Sequence, residues 1–276
     1  WLIAHKTCFP NALLYVLTIA SGYLVAVTTC FQYLTTFYVL FGALIFLMLK
    51  YHVSEAWNLP LYFFVTGMVE NFFDFLTYPV ITLGIPLILL LWMRVREGQT
   101  DFWKNFVFMF LNSFAWGLGY ALTWIAKWGI TVVVLGVRYF WRTMSVVQYR
   151  LQGSEEEPLD RIGTIRRNLK AWMNVQDGGV ITWSKVVLVL LVVVLLLAVW
   201  KKLKDWKTIA AYLPILFVAS YPYIWYLVMS NHSQIHYWYT YRAQLVTLFG
   251  VLMFIRSMLR ENSMETAEKG RSGFWK

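Results

Sequence analysis

Two histidines, an arginine and several aromatic side chains are gathered in one short connector near the C-terminal end of the chain. The connector covers residues 231–242, reads NHSQIHYWYTYR, and lies between two hydrophobic runs that are each long enough to cross a membrane. A turn this short needs none of these groups merely to reverse the direction of the chain. Imidazole, hydroxyl and guanidinium groups at a bilayer surface favour a site that binds an anion or moves a proton.

The histidines of this connector, His232 and His236, are spaced so that a helix would place both on one face. Such a pair can bind zinc, but a catalytic zinc site needs a third protein ligand, and neither a His-Glu-x-x-His pattern nor a metal-type cysteine spacing occurs. We therefore assign no metal site and no cofactor. Two interpretations remain open: the histidines are satisfied interfacial side chains, or they contact a polar or anionic substrate together with Tyr241.

Arg242 stands where the last hydrophobic run begins, so its burial requires a partner. A phosphate or a carboxylate would serve, because the planar guanidinium fork fits either group. The alternative is that the side chain extends to the membrane surface and remains hydrated.

A second group of polar residues lies in residues 67–79, GMVENFFDFLTYP, where Glu70 and Asp74 have the same four-residue spacing. A charged side chain near the membrane core costs about 2.5–3.5 kcal/mol on insertion scales, which indicates that these carboxylates have a role. We select Asp74 and Glu70 as the candidate catalytic residues, either as a base or as a cation ligand. A structural ion pair between Asp74 and Arg242 is the alternative.

Composition identifies the chain as a membrane protein that crosses the bilayer several times. Hydrophobic residues make up 59% of the sequence and charged residues 14%, whereas a soluble domain carries about a quarter charged residues. The apolar blocks are continuous rather than alternating, which predicts helices. The net charge of +10 would suggest nucleic acid as a partner of a soluble protein. Here the basic residues cluster at helix ends, which favours anionic membrane lipid as the partner and argues against nucleic acid.

The apolar blocks predict an all-α transmembrane bundle of about eight spans: 8–27, 36–50, 58–72, 77–93, 104–126, 186–200, 208–228 and 243–258. We divide the chain into a first bundle part (1–126, about five spans), an outer loop (127–185), a second bundle part (186–258, about three spans) and a tail (259–276). Basic residues in the turns near 94–104 and 201–207 and in the tail indicate that both ends are cytoplasmic. We expect a multi-pass protein of a bacterial plasma membrane.

The outer loop contains two amphipathic stretches. In the first, one helical face carries Ile130, Val133, Val134, Val137, Trp141 and Met144. In the second, the apolar stripe consists of Leu159, Ile162, Ile165, Leu169 and Trp172. Apolar faces opposite basic ones are typical of helices that lie in a membrane interface, and packing on the protein's own spans is the alternative.

Two segments of the chain resemble signatures of large, mostly uncharacterised multi-spanning proteins of Gram-positive bacteria. The first is residues 72–87, FFDFLTYPVITLGIPL, and the second combines residues 231–236, NHSQIH, with residues 240–242, TYR. Trp124 and the pair Lys127-Trp128 add a weaker match. The resemblance covers about residues 35–258, and these proteins are similar to GT-C-type glycosyltransferases, which use a polyprenyl-phosphate sugar at the outer membrane face.

The resemblance implies a cell-envelope transferase with a lipid-linked sugar donor. It implies that Asp74, His232, His236 and Arg242 line an outer cavity, where Arg242 binds the lipid phosphate and His236 a sugar or phosphate oxygen. GT-C enzymes usually carry their catalytic acid in a first outer loop near the N-terminus. The chain begins at Trp1 without a methionine, and we expect an N-terminal part of a longer protein to be missing. Whether the chain is itself an enzyme stays open, because a lipid or solute transporter and a non-catalytic subunit that binds a protein partner are the alternatives.

Overall fold

A computed structural model describes residues 1–23, 30–50, 58–74, 76–153, 158–173, 179–200 and 206–273, with backbone alone for 179–184 and 260–273. The described part is helical and contains no strand. Its helices are α1 (Leu2–Lys6), α2 (Phe9–Ala20), α3 (Phe31–Lys50), α4 (Leu59–Phe73), α5 (Val80–Arg96), α6 (Phe102–Leu135), α7 (Arg138–Gln152), α8 (Arg161–Met173), α9 (Gly179–Trp200), α10 (Trp206–Ala219), α11 (Tyr221–Val228), α12 (Ser230–Ile235), α13 (Tyr237–Thr240) and α14 (Gln244–Gly273), with a 3-10 turn at Tyr241–Ala243.

Within the described residues, four stretches are long and apolar enough to cross a membrane: Phe31–Lys50, Phe102–Leu135, Trp206–Val228 and Tyr237–Leu259. Three shorter apolar helices, at Phe9–Ala20, Leu59–Phe73 and Lys185–Trp200, coincide with further predicted spans. The all-helical prediction is confirmed and the chain is compatible with an integral membrane protein, but the count of eight spans is not confirmed.

Helix α5 is the centre of the molecule. Almost every residue of this helix is buried, which agrees with a sequence that is apolar on all sides. It packs against α3, α10 and α14. Gly84 permits the contact with α14, because a Cβ atom there would lie 2.4 Å from the Val246 side chain. Residues 67–79, which carry Glu70 and Asp74 and are called the carboxylate segment below, lead directly into α5. The buried helix therefore fixes the position of this segment.

The helices within residues 127–185, which were predicted as an outer loop, differ from the two amphipathic helices expected there. Helix α6 continues to Leu135 and ends at Gly136, whose φ of 96° favours glycine, so the predicted face of residues 130–144 is divided between two helices. Helix α7 has no buried residue. Helix α8 buries Trp172 of the predicted apolar stripe together with Thr164 and Asn168, which lie outside it, and Ile162 of the stripe is exposed. Therefore α8 packs on the protein itself.

We predict that close backbone packing of α4 on α6 makes Gly67 and Gly119 intolerant of any side chain. A Cβ on Gly67 would lie 2.1 Å from the Trp116 carbonyl oxygen, and one on Gly119 would lie 2.1 Å from that of Phe64. Gly119→Ala should force the helices apart and cost about 1–3 kcal/mol, measured as a lower melting temperature in detergent.

Gly117→Ala is the matched control, because a Cβ there meets nothing within 4 Å. Equal melting temperatures for the variants Gly117→Ala and Gly119→Ala would contradict the packing of α4 on α6.

Candidate functional site

The connector is folded into the body of the protein rather than exposed as a surface loop. It forms the short helices α12 and α13 and the 3-10 turn, and its buried residues are Ser230, Asn231, His232, Ser233, Gln234, Tyr239, Thr240, Tyr241 and Arg242. The rings of His232 and His236 lie side by side with centroids 4.7 Å apart, as their spacing predicts. The ring of Tyr239 stacks on His236 at 5.2 Å.

Helix α8 holds the connector through polar side chains, which explains why the buried face of α8 is polar. The Asn168 amide donates to the Ser233 carbonyl oxygen at 3.0 Å and accepts from the Thr240 hydroxyl at 2.7 Å. The Gln234 amide donates to the Pro158 carbonyl oxygen at 3.1 Å and accepts from the Asp160 backbone N–H at 2.9 Å. These bonds satisfy polar groups that burial would otherwise leave without partners.

His232 joins the connector to the carboxylate segment. Its Nε2 lies 2.8 Å from the Leu76 carbonyl oxygen, and because a carbonyl only accepts, Nε2 carries the proton. Burial lowers the pKa of His232 to about 4, His236 and Arg150 add to this effect, and the bond to Leu76 opposes it. His232 is therefore neutral near pH 7. Leu76 itself is strained, with a φ of 64° in the left-handed region.

The two carboxylates lie at the C-terminal end of α4, where Glu70 is fully buried and Asp74 half-buried. Thr77 donates to Asp74 Oδ1 from its backbone N–H at 2.9 Å and from its hydroxyl at 2.5 Å. The Thr36 hydroxyl donates to Glu70 Oε1 at 2.9 Å, and Glu70 Oε2 has no hydrogen-bond partner among the described residues. Burial raises the pKa of the Asp74 carboxyl group, and the hydrogen bonds from Thr77 and Thr36 oppose that rise.

Two cations are buried on the other side of the connector. Arg242 is 4% exposed and Lys185 3% exposed. The Arg242 Nε donates to the Gly22 carbonyl oxygen at 3.0 Å, and its other guanidinium N–H groups make no hydrogen bond within the described residues. The Lys185 ammonium has no hydrogen-bond partner there either. Both cations lie against the ring of Tyr241, at 4.7 Å for Arg242 Cζ and 5.6 Å for Lys185 Nζ.

The expected alternative of an ion pair between Asp74 and Arg242 does not occur in the described structure. Asp74 is hydrogen-bonded by Thr77 instead, and Arg242 lies against aromatic rings. Tyr78 lies beside Arg242, with its buried ring 5.9 Å from Arg242 Cζ, and its hydroxyl donates to the Tyr33 carbonyl oxygen. Arg242 is also not hydrated at the surface, as the snorkelling alternative required, because it is buried.

The structure thus gathers the predicted residues Glu70, Asp74, His232, His236 and Arg242 in one region, linked by Leu76 and Tyr78. Four further residues escaped the sequence interpretation: Thr36, Thr77, Tyr78 and Lys185. A single lysine inside an otherwise apolar stretch was the signal for Lys185. The threonines had no distinguishing signal, because only the tertiary fold brings α3 to the carboxylates.

No group of three or more histidine, cysteine or acidic side chains that could hold a metal ion occurs among the residues that the structure describes. The arrangement offers charged groups of its own, namely buried cations that suit an anion and paired carboxyl groups that suit a proton. Comparisons of the chain with protein-family models, with curated proteins and with solved structures found no match.

We predict that His232 makes the stability of the fold depend on pH. Its folded pKa of about 4 lies below the ordinary histidine value of 6.5, so between these values the unfolded chain binds a proton that the folded chain does not. The contribution of His232 to the free energy of unfolding is fully present above pH 6.5. The free energy of unfolding should fall by up to about 3 kcal/mol as the pH approaches 4. Thermal unfolding in detergent across this window measures the loss.

In this experiment His232→Gln should flatten the pH dependence, since the amide does not titrate. His5→Gln, at an exposed position, should keep the dependence of the unchanged protein. If the stability of the His232→Gln variant depended on pH as strongly as that of the unchanged protein, another group would be responsible for the pH dependence.

Proposed function

We propose that the protein is a GT-C-like membrane glycosyltransferase, or the C-terminal part of one, which transfers a sugar from a polyprenyl-phosphate donor at the extracytoplasmic face. The observation that carries the proposal is the buried pair Arg242 and Lys185, which has no carboxylate partner in the described structure. Two cations that share one aromatic ring repel each other, and their burial is costly unless an anion balances them. A phosphate would bind both.

The proximity of this cation pair to the carboxylates supports a transfer reaction rather than simple anion binding. Tyr78 contacts Arg242 and directly follows Thr77, which donates to Asp74, so a sugar phosphate whose phosphate contacts Arg242 would have its sugar toward Asp74. In the reaction, the bond between the anomeric carbon and the phosphate oxygen breaks and the electron pair leaves with the phosphate. The acceptor hydroxyl forms the new bond and gives its proton to Asp74. His236 contacts a sugar or phosphate oxygen.

A groove between α3 and α4 offers a place for the polyprenyl chain. It has a volume of about 770 Å³ and an apolar lining. Its walls include Tyr38, Gly42 and Phe46 of α3 and Val65, Val69 and Phe73 of α4. The same two helices carry Thr36 and Glu70, so a chain in this groove would lie beside the carboxylate segment.

We predict that Arg242→Ala and Lys185→Met each reduce sugar transfer by about 100-fold or more, since a preorganised donor to a developing negative charge contributes about this much. The assay follows sugar labelled in polyprenyl-phosphate glucose, with the full-length protein in proteoliposomes. Native mass spectrometry should show that each variant also loses bound polyprenyl phosphate.

The matched control is Arg166→Ala, which removes an exposed arginine and should leave transfer unchanged. If Arg242→Ala retained more than half of the wild-type rate, the phosphate role of Arg242 would be refuted. If the unchanged protein released no sugar from this donor or from its mannose and galactose counterparts, the transferase proposal would fail.

A transporter is the second candidate, and one observation favours it. Asn11, Tyr15 and Thr18 lie on one face of α2, and their side-chain polar atoms are buried without hydrogen-bond partners in the described structure. The face ends near Gly22, whose carbonyl oxygen accepts from Arg242. Unpartnered polar groups within a membrane bundle typically line a hydrated path for a solute.

If this second function is correct, the protein should carry radiolabelled inorganic phosphate across proteoliposome membranes without any chemical product. Thr18→Val, which removes one hydroxyl at nearly constant volume, should slow the flux about tenfold, about the effect of one lost hydrogen bond. Leu13→Ala on the exposed face of α2 is the control. Flux equal to that of protein-free vesicles would exclude phosphate transport.

A further inference from the structure

Glu70 and Asp74 are connected by an unbroken chain of two threonine hydroxyl groups. Glu70 Oε1 lies 2.9 Å from Thr36 Oγ1, which lies 3.1 Å from Thr77 Oγ1, which in turn lies 2.5 Å from Asp74 Oδ1. The Glu70 end is completely buried and the Asp74 end is half-buried. The chain therefore leads from the accessible edge of the site into its interior.

Counting hydrogens shows what this geometry requires. Each of the three contacts is at hydrogen-bond distance, but two hydroxyl groups supply only two hydrogens. When both carboxylates are ionised, Thr77 donates to Asp74 and Thr36 donates to Glu70, so two lone pairs face each other between the threonines. One additional proton on either carboxyl group fills all three contacts.

The surroundings also favour one added proton over two ionised carboxylates. No lysine, arginine or histidine forms an ion pair with Glu70 or Asp74 in the described part of the chain. Lys127 of α6 faces Asp74, but its ammonium group donates to the backbone carbonyl oxygens of Asn71 and Phe72. The other titratable groups that face the carboxyl groups are neutral phenols, those of Tyr78, Tyr120 and Tyr239.

We propose that Glu70 and Asp74 hold a single proton between them and that the hydroxyl groups of Thr36 and Thr77 relay it. In one end state the proton is on Glu70, and each hydroxyl donates toward Asp74. In the other end state it is on Asp74, and each hydroxyl donates toward Glu70. Passage from the first state to the second breaks the O–H bond at Glu70, breaks one and forms one at each threonine oxygen, forms one at Asp74, and leaves every contact filled.

This relay deepens the proposed glycosyl transfer and rests on it for its chemical purpose. Before the transfer, the relay carries the shared proton from Asp74 through Thr77 and Thr36 to Glu70, so that Asp74 is ionised beside the acceptor. The acceptor hydroxyl then gives its proton to Asp74, and both carboxyl groups are protonated. The pair returns to one proton when Asp74 releases its proton to solvent at the half-buried edge of the site.

Infrared spectroscopy of the full-length protein in detergent tests the shared proton without requiring any substrate. The unchanged protein near neutral pH should show the C=O band of a protonated carboxyl group. Glu70→Gln should remove this band. Thr36→Val should shift it, because the carboxyl group loses its hydroxyl partner, and Thr36→Ser should restore it.

Thr35→Val is the matched control, because Thr35 is the adjacent buried threonine and its hydroxyl donates to the Gln32 carbonyl oxygen outside the chain of contacts. It should leave the band unchanged. Melting temperatures establish that each variant is folded. Absence of the band in the unchanged protein, or a band that neither Glu70→Gln nor Thr36→Val alters, would overturn the shared proton.

A transfer assay then separates the relay from the proposed function. We expect Thr36→Val to lower sugar transfer about tenfold and to move its pH profile, with rescue by Thr36→Ser, whereas loss of a full general base costs about 100-fold or more. If the infrared band responds as expected but the protein shows no transfer activity, the shared proton is supported and the transferase proposal is refuted. If transfer depends on Arg242 but not on Thr36, the transferase proposal is supported and the relay is refuted.

Discussion

The hydrogen bond from His232 to the Leu76 carbonyl oxygen holds the two halves of the candidate site together. It joins residues that are 156 positions apart in the chain, and burial keeps its imidazole neutral near pH 7. Leu76 and Tyr23 are the non-glycine residues with positive φ in the described structure. The carbonyl of Leu76 accepts from His232, and that of Gly22, next to Tyr23, accepts from Arg242. Strained backbone thus occurs where the connector is attached, a combination that is frequent at functional sites.

The polar character of the connector follows from where it lies. A polar segment buried among apolar helices must find its hydrogen bonds inside the protein. Helix α8 supplies them through Asn168 and Thr164, and the carboxylate segment supplies the acceptor for His232. Among the buried groups that stay without a partner in the described structure are Glu70 Oε2, Lys185 Nζ and, in the connector itself, Ser233 Oγ. Unsatisfied groups of this kind are the positions where a ligand or proton would act.

Much of the architecture could be predicted from the sequence, because apolar blocks and their length determine helices in a membrane locally. The four-residue spacing of His232 and His236 likewise predicted their contact. The partners of Arg242 could not be predicted, since no local pattern states that Lys185 shares the ring of Tyr241. The buried face of α8 was predicted only in part for a similar reason, since Trp172 of the stripe is buried but so are two polar residues outside it. An apolar stripe normally marks the packed face, but here hydrogen bonds to the connector rotate Thr164 and Asn168 inward.

The charges of the site are arranged as the proposed reaction requires. A polyprenyl-phosphate sugar carries one negative charge on its phosphodiester, and the polyprenyl phosphate that leaves carries close to two. The pair Arg242 and Lys185 therefore matches the leaving group better than the donor, so its attraction grows as the bond to the sugar breaks. Asp74 gains the acceptor's proton in the same step, which neutralises the acidic side while the phosphate side gains charge. Because both changes reduce unbalanced charge in a buried site, the low dielectric favours the transition state over the bound donor.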